Sequence, residues 1–187
     1  MTTESYKPKI REILVWPDPR LNIRATDVVN FDDNLRNLIA DMFVTMTANE
    51  GVGLAAPQIA EPYNIIAIRL EPTKLLTLIN PTIMKSSDDN FEWEEGCLSV
   101  PGYFENRKRP NTIEISFYDP SGEEVTAEFS GLYAFAIQHE LDHLNGKVFV
   151  DGSSWLKESR IKKKIKKTLK QRDAEIEKLR QRLKFFK

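Results

Sequence analysis

Apolar residues recur along this 187-residue chain in two periods, and the switches between them mark its elements. Leu35, Leu38, Ile39, Met42, Phe43 and Met46 fall at helical spacing behind Asp32 and Asp33, residues suited to capping a helix start. The spacing predicts a helix over about 33–48, ended by Gly51. Short β-like runs follow at Asn64–Leu70, Leu75–Asn80, Thr112–Tyr118 and Val125–Phe129. Pro, Gly and Asp/Ser clusters separate them, including the turn Asp119-Pro120-Ser121-Gly122. Little helical sequence lies between these runs to make parallel crossovers, so their pairing is expected to be antiparallel. Leu132, Phe135, Ala136 and Leu144 give an apolar face to a helix over about 131–145, stopped at Gly146. The stretch Ile13–Pro19 reads as extended and then turning at its prolines. The predicted class is α+β: mostly antiparallel twisted sheets packed around a central helix, with a C-terminal amphipathic helix.

The last segment differs in kind. Ile161, Ile165, Leu169, Ile176, Leu179, Leu183 and Phe186 form an apolar stripe on a helix otherwise dense in Lys and Arg. Ser153–Lys187 holds 14 Lys+Arg against 4 Asp+Glu, a balance of +10, whereas residues 1–152 hold 13 against 24, a balance of −11. The net charge of −1 therefore hides an acidic body, 1–152, and a basic helical extension, 153–187, suited to different partners. A 41% hydrophobic content is enough for a core, and no apolar run approaches the ~20 residues of a membrane span. A single cysteine excludes an intramolecular disulfide and fits a reducing compartment, so a cytoplasmic location is expected.

Candidate chemistry is concentrated in three short strings. Both histidines of the chain lie in Gln138-His139-Glu140-Leu141-Asp142-His143, an H-E-x-x-H pattern on the predicted central helix. At i and i+4, His139 and His143 share a face and can reach one metal ion, while Glu140 stands beside it as a candidate general base. The lone Cys97, in Glu95-Gly96-Cys97-Leu98-Ser99, is the candidate third ligand, with Gly96 permitting close backbone approach. Two imidazoles and a thiolate leave a fourth tetrahedral position open, the pattern of a catalytic site. The thiolate also cancels part of the ion's charge, which makes a nearby base more important. A buried cysteine with no ligand role and a solvated helix with idle histidines are the plainer alternatives.

The third string, Gly51-Val52-Gly53-Leu54-Ala55-Ala56-Pro57-Gln58, formally matches a dinucleotide fingerprint. That motif needs a strand before it and a helix after it; here a helix precedes and a proline with extended sequence follows. A glycine turn feeding a strand, or a backbone passing close to a ligand with the Gln58 amide aimed at it, suits the context better.

Together the strings closely resemble the peptide deformylase family, marked by G-x-G-L-A-A-x-Q, E-G-C-L-S and Q-H-E-x-D-H-L in this order. The resemblance covers roughly residues 5–170. It implies a metal-dependent hydrolase that removes the formyl group from the N-formylmethionine of new proteins, releasing formate. It implies Cys97, His139 and His143 as ligands of one divalent ion, natively Fe(II) and often zinc, nickel or cobalt in preparations. It implies Glu140 as acid/base, with Gln58 and the backbone N–H of Leu98 as donors to the formyl oxygen. Val52, Gly53, Gly96, Leu132, Phe135 and Ala136 are the candidate substrate-contacting positions, the apolar ones as a methionine pocket. Many family members carry an arginine where this chain has Phe104. In part of the family a C-terminal helix docks on the ribosome, a role the +10 extension would suit through phosphate contacts. An H-E-x-x-H peptidase and a metal-stabilised binding module are the rival classes; the presence of Glu140 weighs against the second.

Overall fold

A computed structural model describes residues 6–184, the side chains of residues 176 and 179–184 excepted. Ile176, Leu179, Leu183 and Phe186 of the predicted stripe therefore lie outside the described side chains. Among the described residues, three α-helices and seven strands form the framework: α1 Asp33–Ala48, β1 Gly53–Ala55, β2 Ile65–Glu71, β3 Lys74–Ser86, β4 Asn90–Gly96, β5 Phe104–Pro110, β6 Thr112–Tyr118, β7 Glu124–Ser130, α2 Gly131–Leu144 and α3 Trp155–Lys184. Strands β1-β2-β3-β6-β7 form one antiparallel sheet in that order, and β4 and β5 form a separate antiparallel ribbon. The chain is α+β, as its periodicities predict.

Strand β2 explains how the layers assemble. Its run Ile65-Ile66-Ala67-Ile68 is apolar at every position because both faces are covered. Ile66 and Ile68, with Leu78 of β3 and Ile113 and Ile115 of β6, pack with Ala134 and Ile137 of α2. Ile65 and Ala67 turn the other way and pack with Leu35, Leu38, Ile39, Met42 and Met46 of α1. The sheet is thus sandwiched between the two helices. Helix α2 is buried over every residue from Ala134 to Glu140, the environment of a central helix rather than a surface one.

Helix ends follow local chemistry. The Asp32 carboxylate accepts the Leu35 N–H at 3.0 Å, capping α1. At the other end the structure corrects the expectation that Gly51 stops the helix. Asn49 is the C-cap, Glu50 takes the left-handed conformation at φ 57°, and the Gly51 N–H closes the turn on the Met46 carbonyl. Strand β3 runs six residues past the predicted Asn80, and ribbon β4–β5 is absent from the sequence expectation altogether. The segment Ile13–Trp16 is extended but joins no sheet; its Leu14 and Trp16 N–H groups donate to the Gln58 and Ser99 carbonyls.

A third apolar cluster joins the C-terminal helix to the body. Ile161 and Ile165 of α3 are buried with Leu14, Trp16, Val100 and Val148–Val150, and Leu169 packs at its edge beside Cys97 and Tyr103. Each buried isoleucine contributes about 1.5–3 kcal/mol of burial free energy. The helix therefore braces the loop that presents Cys97. No helix of the described residues is long and apolar enough to cross a membrane.

Candidate active site

Three separate elements converge on one group of side chains. Helix α2 delivers His139 and His143 from a single face, with ring centroids 5.0 Å apart and planes at 84°. The loop after β4 delivers Cys97, whose Sγ lies 3.1 Å from His143 Nε2. One ligand-type atom from each of Cys97, His139 and His143 falls within 4.8 Å of the others, a cluster that could hold a metal ion. The donor set suits a borderline ion such as zinc or iron(II): one soft thiolate and two imidazoles.

The next layer fixes these side chains. His139 Nδ1–H donates to Glu95 Oε1 at 2.6 Å, which leaves Nε2 free to face Cys97. Arg109 donates to both oxygens of Glu95, at 2.9 and 3.0 Å, and reaches Asp142 at 2.8 Å. Burial alone would raise the Glu95 carboxyl, but its bonds to His139 and Arg109 hold it down at about 2. Glu95 is therefore a fixed anion beneath the imidazole. Burial would also lower His139, and the adjoining Cys97 and Glu95 outweigh it and raise that ring well above its ordinary value. His143 goes the opposite way, pushed well below by burial and then by His139.

Gln58 and Glu140 complete the group. The 3₁₀ turn Ala56–Ile59 buries Gln58, whose Oε1 accepts the Ala55 N–H at 2.8 Å. Its orientation is thereby set, and its amide nitrogen donates to Ser99 Oγ at 3.1 Å and Cys97 Sγ at 3.4 Å. Glu140 is buried, and that burial pushes its carboxyl up to about 7. Its Oε2 is buried and has no hydrogen-bond partner among the described residues, an unsatisfied acceptor on an enclosed side chain. Gly53 of β1 lies directly against it: a Cβ there would overlap Glu140 Oε1. The Leu98 N–H likewise has no acceptor among the described residues.

A cleft of about 770 Å³ opens onto this group. Val52, Gly53, Gly96, Leu132, Phe135 and Ala136 all line it, together with Cys97, Leu98, His139 and Glu140. Gln58 and His143 sit behind, almost fully buried. Phe104 also lines the cleft, half exposed, with its ring against Gly96. Sequence reasoning missed Arg109 and Asp142 as supports of the site and treated Glu95 only as polar surroundings of Cys97. The one available signal was the placement of Glu95 and Asp142 inside the two ligand-bearing strings. It also missed that α3 walls the cleft, with Thr168, Gln171, Arg172 and Glu175 among its lining.

A cysteine sulfur and two imidazoles beside an open cleft, next to a buried carboxyl whose Oε2 has no partner among the described residues, define a metallohydrolase-type site. Residues 10–159 match the family model described as polypeptide deformylase. The chain belongs to that family. It is 42% identical over 167 residues to peptide deformylase of Brucella suis biovar 1, covering 87% of this chain and 95% of that one. It is 45% identical over 161 residues to the enzyme of Saccharophagus degradans, covering 85% and 94%. A crystal structure of a peptide deformylase from Legionella pneumophila superposes with a TM-score of 0.82 at 40% identity, covering 89% and 98%. The protein is accordingly an enzyme, a metal-dependent hydrolase that removes the N-formyl group from nascent peptides.

Proposed function

We propose that Cys97, His139 and His143 hold one divalent ion, natively Fe(II), and that Glu140 moves the proton in deformylation. The observation that carries this reading is the partnerless, buried Oε2 of Glu140 beside the three ligand atoms. The chemistry such an ion supplies is polarisation of the formyl oxygen and a more acidic water. Glu140 takes a proton from the attacking water and returns it to the leaving nitrogen as the formyl C–N bond breaks. Formate and a free N-terminus result. The Gln58 amide and the Leu98 N–H donate to the formyl oxygen as negative charge grows on it, a stabilisation strongest in the transition state. Val52, Leu132, Phe135 and Ala136 receive the methionine side chain, and Gly53 and Gly96 let substrate approach the main chain. Cys97→Ala, His139→Ala and His143→Ala should each reduce bound metal from about one ion per chain to near zero in anaerobically purified protein. Retention of a full ion by any of them would remove that residue from the ligand set. Zinc-loaded protein whose kcat/KM equals or exceeds that of protein loaded anaerobically with Fe(II) would overturn the Fe(II) assignment.

We further propose that the body, residues 1–152, carries the chemistry, and that the basic extension, 153–187, contacts ribosomal RNA. Lys163, Lys166, Lys167 and Lys170 support this: all are exposed, on the part of α3 turned away from the buried Ile161 and Ile165. Nascent chains as substrate, and a thiol that must stay reduced, favour the cytoplasm. Replacing these four lysines by glutamate should weaken co-sedimentation with ribosomes and flatten its log–log salt dependence by about 3. Undiminished pelleting at low salt would exclude the contact.

A further inference from the structure

Helix α3 has one face that begins on the body and ends in the cleft. Lys157 bonds Glu105, Ile161 and Ile165 are buried, and Thr168 packs its hydroxyl against Gly102, where a Cβ would overlap it. Continued at helical spacing, that face presents Gln171, Arg172 and Glu175, and these line the cleft together with Thr168. An apolar stripe that simply covered the body would continue as Leu or Ile here. Instead three long polar side chains stand where the helix passes the opening. Among the described residues that line the cleft, Arg172 is the one Lys or Arg. It is exposed, and no carboxylate pairs with it among the described residues. Phe104, also in the lining, offers only an apolar ring.

The stretch from Thr168 to Glu175 is about 10 Å long, the length of about three extended peptide residues. Beyond the first residue, the substrates of this reaction share nothing but main chain. Gln171 brings two N–H donors and Arg172 five, suited to carbonyl oxygens on a chain lying along the wall. We infer that this turn of α3 is a substrate-binding wall, in which Arg172 is a specificity-determining residue that holds main-chain carbonyls of the second and third residues. Rigid docking through Thr168 and Gly102 places it before substrate arrives, so little ordering is required on binding. The consequence is a preference for longer formyl-peptides that is largely blind to their sequence.

This inference rests on assigning the cleft to deformylation, and the test separates the two. C-terminally amidated formyl-Met-Ala and formyl-Met-Ala-Ser-Ala are compared as substrates of the metal-loaded full chain and of Arg172→Leu. Amidation removes a terminal carboxylate that would attract any nearby cation. The longer peptide should be favoured by the unaltered protein, and Arg172→Leu should cut that advantage about five- to tenfold, through KM rather than kcat. Arg172→Lys should restore only part of it. An unchanged ratio between the two peptides would overturn the wall, as would a loss seen only when Asp or Lys replaces the third residue. Absence of formate from either peptide with the unaltered protein would instead overturn the cleft assignment itself.

Discussion

Glu140→Gln is expected to lower kcat for formate release from formyl-Met-Ala by about 10³-fold while leaving metal content unchanged. Glutamine keeps the length and planarity of the side chain, so the packing against Gly53 and the buried surroundings on α2 persist. What disappears is the ability to accept a proton from water and return it to the leaving nitrogen. Both halves of the proposed proton movement use the same oxygen, so no other described side chain substitutes for it. His139 is tied to Glu95 through Nδ1, and the Gln58 amide nitrogen donates hydrogen bonds but cannot take a proton from water. KM should move by roughly threefold or less, because the loss falls on the transition state. A fall smaller than about tenfold in fully metal-loaded protein would assign the proton to another group. Metal analysis of the same sample guards against a trivial loss of the ion.

The chemistry of this chain was readable where it is local. His139 and His143 share a face by spacing alone, and the E-G-C-L-S string announced Cys97 without any fold. The supports of the site were not readable, because they depend on register. Glu95 and Arg109 lie on facing strands of the β4–β5 ribbon, where Arg109 pairs with Phe91 and Glu95 with Glu105. Only that pairing puts both side chains on one face and lets the guanidinium reach under His139. The ribbon itself escaped notice for a physical reason. Phe91, Trp93 and Glu95 share a face of β4 and alternate with Glu92 and Glu94, but Trp93 is itself half exposed, and β5 is dominated by charge. The strands carry too few apolar residues to show a half-buried period. Likewise β2 was readable as a strand, but its unbroken apolar run did not say that α1 and α2 cover opposite faces. The stripe on α3 predicted an amphipathic helix, and nothing in its spacing predicted that the helix walls the cleft.

Gly53→Ala should cost about 10²-fold in kcat, although it adds one methyl group far from the predicted ligands in sequence. The new Cβ would meet the Oε1, Cδ and Cγ atoms of Glu140 together, so it bears on the whole carboxyl rather than its tip. Strand β1 has little freedom to retreat: Gly53 is paired to Ile68, and Leu54 and Ala55 are fully buried on either side of the sheet. Glu140 must therefore give way, and a base displaced by about 1 Å no longer meets the water it deprotonates. The main chain of Gly53 has φ outside the left-handed region, so the substitution introduces crowding without backbone strain. Stability should accordingly change little compared with activity. A double-mutant cycle decides whether the effect passes through the carboxylate. If it does, Gly53→Ala should add almost nothing to Glu140→Gln, since the proton transfer it disturbs is already gone. Additive losses would show that Gly53 serves substrate through its own main chain, and that the glycine was placed for the peptide and not for the base.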